Sequence, residues 1–233
     1  MKYDLILFDF DDTLVDFKKS ERKTFELTLK EFKVYNAENF ETQYSSYQII
    51  NENLWSLHAQ KEISKEDLKT ARFEKFLHQF HLLANAPLMG EFYISQLPHQ
   101  MYLMEDALEL CQHLHSKTQL GIVTNGIGRV QTQRLDKSGL KDFFKFMVVS
   151  EECGHSKPDR RIFDYTFNLA QQINQKKPQK ILMVGDRIET DILGAHNSGI
   201  DSCWFNPDNL QNHSDIKAHY EIKRLSDLIQ FLH

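Results

Sequence analysis

The fold of this chain is decided by the stretch LILFDFDDTL, residues 5–14. Its first four residues are apolar, which is typical of a short strand buried on both faces of a sheet. Asp9 and Asp11 follow two residues apart, where the chain leaves that strand. A buried carboxylate without a partner is costly, so such a pair usually holds a cation or takes part in chemistry. Taken alone, the segment also fits an Asp-rich turn, because Asp is common in turns.

Length and composition limit the class of protein. A chain of 233 residues suffices for one large domain or for a domain with a smaller insert. Its net charge of -5 argues against a nucleic-acid-binding surface, and no apolar run approaches the ~20 residues of a membrane helix. The N-terminal apolar run is too short for a signal peptide, and three widely spaced cysteines indicate a reducing compartment. We therefore expect a cytoplasmic protein that binds neither polymeric nucleic acid nor membranes.

Short apolar runs recur along the chain and predict a sheet. The predicted strands are Leu5–Asp9, Gln119–Thr124, Phe146–Ser150, Ile181–Asp186 and Ser202–Asn206. The helical patterns between and around the later strands are Glu105–His115, Arg129–Gly139, Arg160–Gln172 and Ile188–Gly199, two of which end in glycine. Regular alternation of strands and helices predicts an α/β fold with a Rossmann-like parallel sheet and right-handed crossovers.

Residues 17–97 break this rhythm, because they contain no convincing strand. Their helical patterns are Glu21–Phe32, Phe40–Ala59, Lys65–His81 and Pro87–Gln96. We interpret residues 17–97 as an inserted all-helical cap domain and residues 1–16 with 98–233 as the α/β core. Ligands of open α/β sheets bind at the carboxyl ends of strands, and the insert begins just after such an end. The insert is therefore expected to act as a lid.

Two further segments place polar groups after predicted strands or before a helix. Thr124, Asn125 and Gly126 offer a hydroxyl, an amide and a permissive backbone, which together suit an anion such as phosphate. The alternative is that these three residues form an ordinary turn, in which such residues are common. Lys157 precedes a predicted helix that has Pro158 in its first turn, and its charge could neutralise phosphate and carboxylate groups. In isolation, the favoured interpretation is a surface lysine.

A fourth segment, residues 183–191, runs from a predicted strand through Gly185 and Asp186 to Asp191. Asp186 lies at the same kind of strand end as Asp9. Together with a backbone carbonyl, these two carboxylates give the oxygen-rich shell that Mg²⁺ prefers. Asp191 fits a supporting or capping position at the start of the next helix. The alternative is that both acids are only turn and cap residues.

The four segments in this order resemble the haloacid dehalogenase superfamily of Asp-nucleophile phosphotransferases. The D-x-D-x-T motif of that family corresponds to Asp9–Thr13, its Thr/Ser motif to Thr124, its lysine to Lys157 and its acidic motif to Gly185–Asp191. The resemblance covers the whole chain. It includes the helical insert between the first and second motifs, as in the subfamily with a C1 α-helical cap.

The resemblance implies that phosphomonoesters are hydrolysed with Mg²⁺ through an aspartyl phosphate. It implies that Asp9 is the nucleophile, that Asp11 is general acid and then base, and that Lys157 counters negative charge. The implied phosphate-binding residues are Asp9, Phe10, Asp11, Thr124, Asn125 and Lys157. The implied metal site consists of Asp9, Asp11 and Asp186, with Asp191 behind these ligands.

The presence of Asp11 favours a phosphatase over a haloacid dehalogenase, because a halide leaves without a proton. A non-catalytic binding module on the same fold is disfavoured, since every motif residue is present. A phosphatase for another small metabolite, such as a sugar phosphate, stays open.

Further stretches resemble the bacterial pyrimidine 5'-nucleotidases, among them residues 123–126, 133–135, 203–206 and 53–55. The resemblance implies a nucleoside monophosphate as the small-molecule substrate. In the insert, Trp55 and Arg72 are candidates for contact with the base, because they offer an aromatic face and guanidinium donors. Aromatic side chains in such an insert more often form its core.

Overall fold

Six parallel strands form the central sheet of the computed structural model, which describes residues 1–233. They are β1 Leu5–Phe8, β2 Gln119–Thr124, β3 Phe146–Val149, β4 Ile181–Gly185, β5 Asp201–Phe205 and β6 Tyr220–Ile222. Their order across the sheet is β3-β2-β1-β4-β5-β6. In this order β1 is central, with Leu5 opposite Gln119 on one side and Ile181 on the other. Because all strands are parallel, their carboxyl ends share one edge of the sheet.

Helices occupy most of the remaining chain. They are α1 Phe17–Glu31, α2 Phe40–Ala59, α3 Lys65–Gln79, α4 Ala86–Gln96, α5 Ala107–Leu114, α6 Gly128–Ser138, α7 Ser150–Cys153, α8 Arg160–Asn174 and α9 Leu193–Ser198. Short 3₁₀ segments span Leu97–His99, Lys141–Phe143 and Leu225–Phe231, and a π-helical turn spans Ile188–Ile192. None of the helices combines the length and the hydrophobicity that crossing a bilayer requires.

The chain divides into two compact units. One consists of residues 1–17 and 101–233, and the other of residues 18–100. The first contains the whole sheet, and the second contains α2 to α4 and nearly all of α1. The sequence therefore leaves the sheet unit shortly after β1 and returns to it before α5.

The sheet is buried on both faces, which explains why its strands are almost wholly apolar. In β1, Ile6 and Phe8 belong to one hydrophobic cluster, whereas Leu5 and Leu7 belong to the other. All four side chains are fully buried. The alternation follows from the two-residue period of a strand, and helices must cover both faces of such a sheet.

Aromatic side chains form the interior of the helical unit. Phe25 stacks on Tyr47 with ring centroids 4.3 Å apart and meets the edge of Phe76 at 5.1 Å. Tyr47 and Tyr93 each pack against Phe73, at 5.8 and 5.7 Å. These residues come from all four helices of the unit and are fully or almost fully buried. Their packing, more than helix propensity, therefore holds the helices together.

The predicted fold class is confirmed: the sheet is parallel and Rossmann-like, and helices form the insert. Gly139 and Gly199 end α6 and α9 with φ of 74° and 68°, as their positions predicted. Four of the predicted strands, however, extend one residue too far, at Asp9, Ser150, Asp186 and Asn206. Each of these residues is polar and lies just past the last residue of its strand, at the edge where the strands end.

Two local predictions were wrong, and one strand was missed. Pro158 does not lie in the first turn of α8, because that helix begins at Arg160 with Asp159 as its cap. The segment predicted as one helix over residues 188–199 begins with the π-helical turn. The edge strand β6 was not predicted, since it has three residues and only Ile222 of them is buried. So short a segment shows no periodicity.

Replacing Phe25 by Ala should destabilise the protein by about 3–5 kcal/mol, because it leaves a cavity inside the aromatic interior. Urea unfolding of the full chain measures this free energy. Leu88→Ala is the matched control in the same unit, since Leu88 is 56% exposed and should change stability by less than about 0.5 kcal/mol. Similar losses in both variants would contradict the described packing.

Candidate active site

The polar residues that follow β1, β2 and β4 meet at one edge of the sheet because these strands are neighbours. The main-chain N–H of Asp9 donates to the carbonyl of Val184 at 2.8 Å, which continues the β1–β4 ladder by one bond. Beyond it the chain turns sharply, with the amides of Leu14 and Val15 both donating to the carbonyl of Phe10. This strand end and turn place the Asp9 and Asp11 side chains at the edge where ligands bind in such folds.

Three carboxylates form a tight group at this edge. Asp9, Asp186 and Asp191 each offer one oxygen, and these oxygens all lie within 4.8 Å of one another. Asp9 and Asp191 are buried, and Asp186 is partly so. Gly185 makes room for the group, since a Cβ there would lie 2.3 Å from the Asp191 carboxylate. The glycine of this motif is thus required by packing.

Lys157 brings a positive charge into the group. Its Nζ donates to Asp9 Oδ1 at 2.6 Å and lies 2.7 Å from Asp191 Oδ1, while its side chain is only 2% exposed. Asn125 fixes the loop that carries it: the Asn125 amide donates to the Lys157 carbonyl and accepts from the Lys157 N–H, at 2.9 and 2.8 Å. Lys157 is therefore not a surface lysine.

The electrostatics of this group call for a further cation. Burial raises the pKa of Asp9 to about 7, although Lys157 opposes the shift. Burial and the charges of Asp191 and Asp9 raise the pKa of Asp186 well above its ordinary value. Burial would lower the pKa of Lys157, but Asp191 and Asp9 outweigh it and hold its pKa above the ordinary value. One buried ammonium does not balance three carboxylates, and an oxygen-only donor set fits Mg²⁺.

The Asp11 side chain lies outside the group of three carboxylates. One of its oxygens forms an ion pair with Arg134, and the other accepts from Gln131 Nε2 at 2.8 Å. Its carboxylate is thus engaged by α6, and the structure does not bring it into the group that could hold a metal. Only its main-chain carbonyl is left to serve the ligand role predicted for Asp11.

Gln131 also connects Asp11 to Thr124, because its Nε2 donates to Thr124 Oγ1 at 2.8 Å. Sequence reasoning missed Gln131 and met Arg134 only within a stretch that resembled the nucleotidases. A signal was available, since Gln131 and Arg134 lie three residues apart and so share one face of α6. Two polar residues on one face of a helix that covers a sheet indicate side chains that reach polar groups at the end of that sheet.

The other predicted residues have different surroundings. The Phe10 ring is buried in the core beneath the Arg134 guanidinium, so only its main chain can serve a phosphate. Arg72 is 3% exposed inside the helical unit, where it donates to Tyr47 Oη at 3.4 Å and lies over the Tyr93 ring. This enclosure argues against the predicted contact of Arg72 with a base. Trp55 is partly exposed on α2, with the edge of His58 against it.

The chain is similar to a known family and to known proteins over most or all of its length. The model of the haloacid dehalogenase-like hydrolases matches residues 6–205. The chain is 31% identical to pyrimidine 5'-nucleotidase YjjG of Escherichia coli, covering all of this chain and 99% of that protein. It is 33% identical to pyrimidine 5'-nucleotidase PynA of Streptococcus pneumoniae, covering all of this chain and 96% of that protein.

A solved structure gives the same picture of the fold. The HAD-hydrolase YfnB of Bacillus subtilis, crystallised with bound magnesium, superposes with a TM-score of 0.89 at 32% identity, and each chain is covered completely. The family match spans both the D-x-D-x-T segment and the acidic motif, whose carboxylates meet in the group described above. By sequence, fold and site geometry, this chain belongs to the haloacid dehalogenase-like hydrolases.

Proposed function

We propose that this protein is a Mg²⁺-dependent phosphomonoester hydrolase that acts through an aspartyl phosphate and prefers pyrimidine nucleoside monophosphates. The observation that carries the proposal is the contact of the buried Asp9 carboxylate with Lys157, beside two further carboxylates. A buried nucleophile beside cations suits attack on an anionic phosphate, because the cations offset the repulsion between them. The names of the relatives YjjG and PynA support the nucleotide preference.

Asp9 and Asp186 are the side chains that would hold magnesium. Both oxygens of Asp191 are engaged, one near Lys157 Nζ and the other by the Arg187 N–H at 3.0 Å, so Asp191 supports the site from behind. The Thr13 hydroxyl orients Asp186 by donating to its Oδ1 at 3.2 Å. When bound, magnesium supplies positive charge that stabilises the phosphoryl group and keeps the carboxylates ionised.

The protein's own residues divide the first displacement between them. An Asp9 oxygen forms a bond to phosphorus as the bond from phosphorus to the ester oxygen breaks, which gives an aspartyl phosphate and an alkoxide. Asp11 gives its proton to the alkoxide. Lys157, Thr124 and the main-chain amides after β1 and β2 hold the transferring oxygens. In the second displacement, Asp11 takes a proton from water, and the resulting hydroxide releases phosphate from Asp9.

Within the helical unit, Trp55 remains the proposed base contact. Its ring is partly exposed, whereas the other aromatic side chains that could serve, Tyr44, Tyr47 and Phe73, are buried in the unit's interior. A flat, partly exposed ring can stack on a base at little cost in conformational entropy. A sugar phosphatase is the second candidate, since Asp9 and Lys157 act on the phosphoryl group and Asp11 on the ester oxygen, which every phosphomonoester has.

Replacing Asp9 by Asn should reduce hydrolysis of UMP by about three orders of magnitude or more while leaving the fold intact, because an amide is a poor nucleophile and a poor metal ligand. Steady-state release of phosphate measures the loss. Exposed Asp215→Asn is the control and should retain wild-type turnover. Appreciable turnover by purified Asp9→Asn would contradict the mechanism.

Magnesium should stabilise the protein more at pH 8 than at pH 5. The folded-state pKa of Asp9, about 7 against an ordinary 3.8, means that the metal-free protein loses stability as pH rises through this window. Magnesium reverses this loss by binding the ionised carboxylates. At a concentration about 100-fold above its Kd, it should add about 2.7 kcal/mol, or raise Tm by roughly 5–10 °C.

Differential scanning calorimetry with and without Mg²⁺ at both pH values measures this effect. Asp186→Asn should lose most of the magnesium response, whereas Asp215→Asn should keep it. An equal response at the two pH values, or an undiminished response in Asp186→Asn, would argue against this metal site.

UMP, dUMP and dTMP should be hydrolysed with higher kcat/KM than AMP and GMP, because the larger bicyclic base fits a pyrimidine site poorly. A panel that also contains sugar phosphates and p-nitrophenyl phosphate measures this preference. Trp55→Ala should lower kcat/KM for UMP by about tenfold and leave p-nitrophenyl phosphate nearly unaffected. If a sugar phosphate is the best substrate of the panel, the nucleotide preference fails and the sugar phosphatase takes its place.

A further inference from the structure

We infer that Gln131 is a positioning residue that makes the Thr124 hydroxyl a hydrogen-bond donor to the phosphoryl group, and that Arg134 holds Gln131 in the required orientation. The inference rests on the proposed function, because it assigns an orientation to a hydroxyl that contacts phosphate. It concerns two side chains of α6 that touch Asp11 and Thr124 from the helix side.

The orientation of the Gln131 amide follows from its neighbours. Arg134 Nη1 donates to Gln131 Oε1 at 2.8 Å, and an arginine has no atom that accepts a hydrogen bond. The oxygen of the amide therefore faces Arg134, and the nitrogen faces the other way. That nitrogen lies 2.8 Å from both Asp11 Oδ2 and Thr124 Oγ1. The contact with Asp11 Oδ2, which accepts from that nitrogen, agrees with this orientation.

The fixed amide decides what the Thr124 hydroxyl can do. A hydroxyl has one hydrogen to donate and two lone pairs that accept. Oγ1 accepts from Gln131 Nε2 at 2.8 Å and, more weakly, from the main-chain N–H of Gly126 at 3.4 Å. Both lone pairs are thereby occupied and the hydrogen is left to be donated elsewhere. Thr124 ends β2, beside β1 and Asp9, where an oxygen of the transferring phosphoryl group is the acceptor that the proposed reaction supplies.

The surroundings show that this arrangement is built into the core. Gln131 is 1% exposed, and a Cβ at Gly126 would come within 2.5 Å of its side chain. Arg134 is fully buried, with its guanidinium over the rings of Phe10 and Phe17 at 5.2 and 5.1 Å. Its Nε and Nη2 have no hydrogen-bond partner, so its polar contacts are confined to Asp11 and Gln131. A buried cation with so few partners is costly, which fits a role in alignment.

The test is a double-mutant cycle on Gln131→Met and Thr124→Val, read as the Kd of inorganic phosphate by calorimetry in the presence of Mg²⁺. Methionine keeps the size of Gln131 and removes its donor and acceptor. Each single variant should weaken phosphate binding about tenfold, because a hydrogen bond to a charged oxygen is lost. The double variant should bind phosphate no more weakly than Thr124→Val alone, since Gln131 acts through Thr124. Gln133→Met, on the exposed side of α6, is the matched control and should not change the Kd.

Three further variants keep the inference testable if Gln131→Met folds poorly, which its Tm would reveal. Gln131→Glu presents an acceptor to Thr124 and should also weaken phosphate binding about tenfold, because the hydroxyl then donates to the glutamate. Arg134→Lys retains one donor and should recover most of the binding that Arg134→Met loses.

Two results would overturn the inference: additive losses in the double variant, or an unchanged Kd in Gln131→Met. These results leave the proposed function intact, since they concern only how Thr124 is oriented. If the wild-type protein binds phosphate but hydrolyses no phosphomonoester, the proposed function fails and the cycle can still be measured. If it binds no phosphate, both fail.

Discussion

The site depends on the ion pair between the buried Lys157 ammonium and the Asp9 carboxylate. Three carboxylates within 4.8 Å of one another could not remain ionised in a buried site without compensating charge. Lys157 reaches two of them, and its loop is fixed by two hydrogen bonds to Asn125. The remaining excess of negative charge is what makes the site suitable for a divalent cation. Without that cation, the same excess of negative charge destabilises the ionised carboxylates of the site.

Parallel strand order brings these residues together. Asp9, Thr124 and Asp186 are far apart in sequence, but β1 lies between β2 and β4, and each residue follows or ends one of these strands. Two glycines then allow close approach without any unusual backbone conformation. Gly185 accommodates the Asp191 carboxylate and Gly126 accommodates the Gln131 side chain. The glycines of both motifs are therefore explained by side chains that pack against them.

The sheet, the helical insert and the residues at the strand ends could be predicted because apolar runs and polar strand ends are local signals. Five candidate site residues could be selected from their positions after strands or before helices alone. They are Asp9, Thr124, Lys157, Asp186 and Asp191. The helical spacing of Gln131 and Arg134 was a signal, but it could not identify their partners. Asp11 and Thr124 are distant in sequence, and a polar pair on a helix usually faces solvent. The contact of Arg72 with a base stays a prediction, and its enclosure by Tyr47 and Tyr93, which no local pattern signals, argues against it.

The surroundings of Asp9 and Asp11 explain how two identical side chains, two residues apart, can do different work. The Asp9 side chain is 9% exposed and meets Lys157, whereas the Asp11 side chain is 27% exposed and meets Arg134 and Gln131. A nucleophile is more reactive when water is kept away from it, while a general acid and base must exchange protons with a leaving group and then with water. The turn after β1 therefore gives the two proposed roles different surroundings, with Asp9 beside Lys157 and the more exposed Asp11 beside α6.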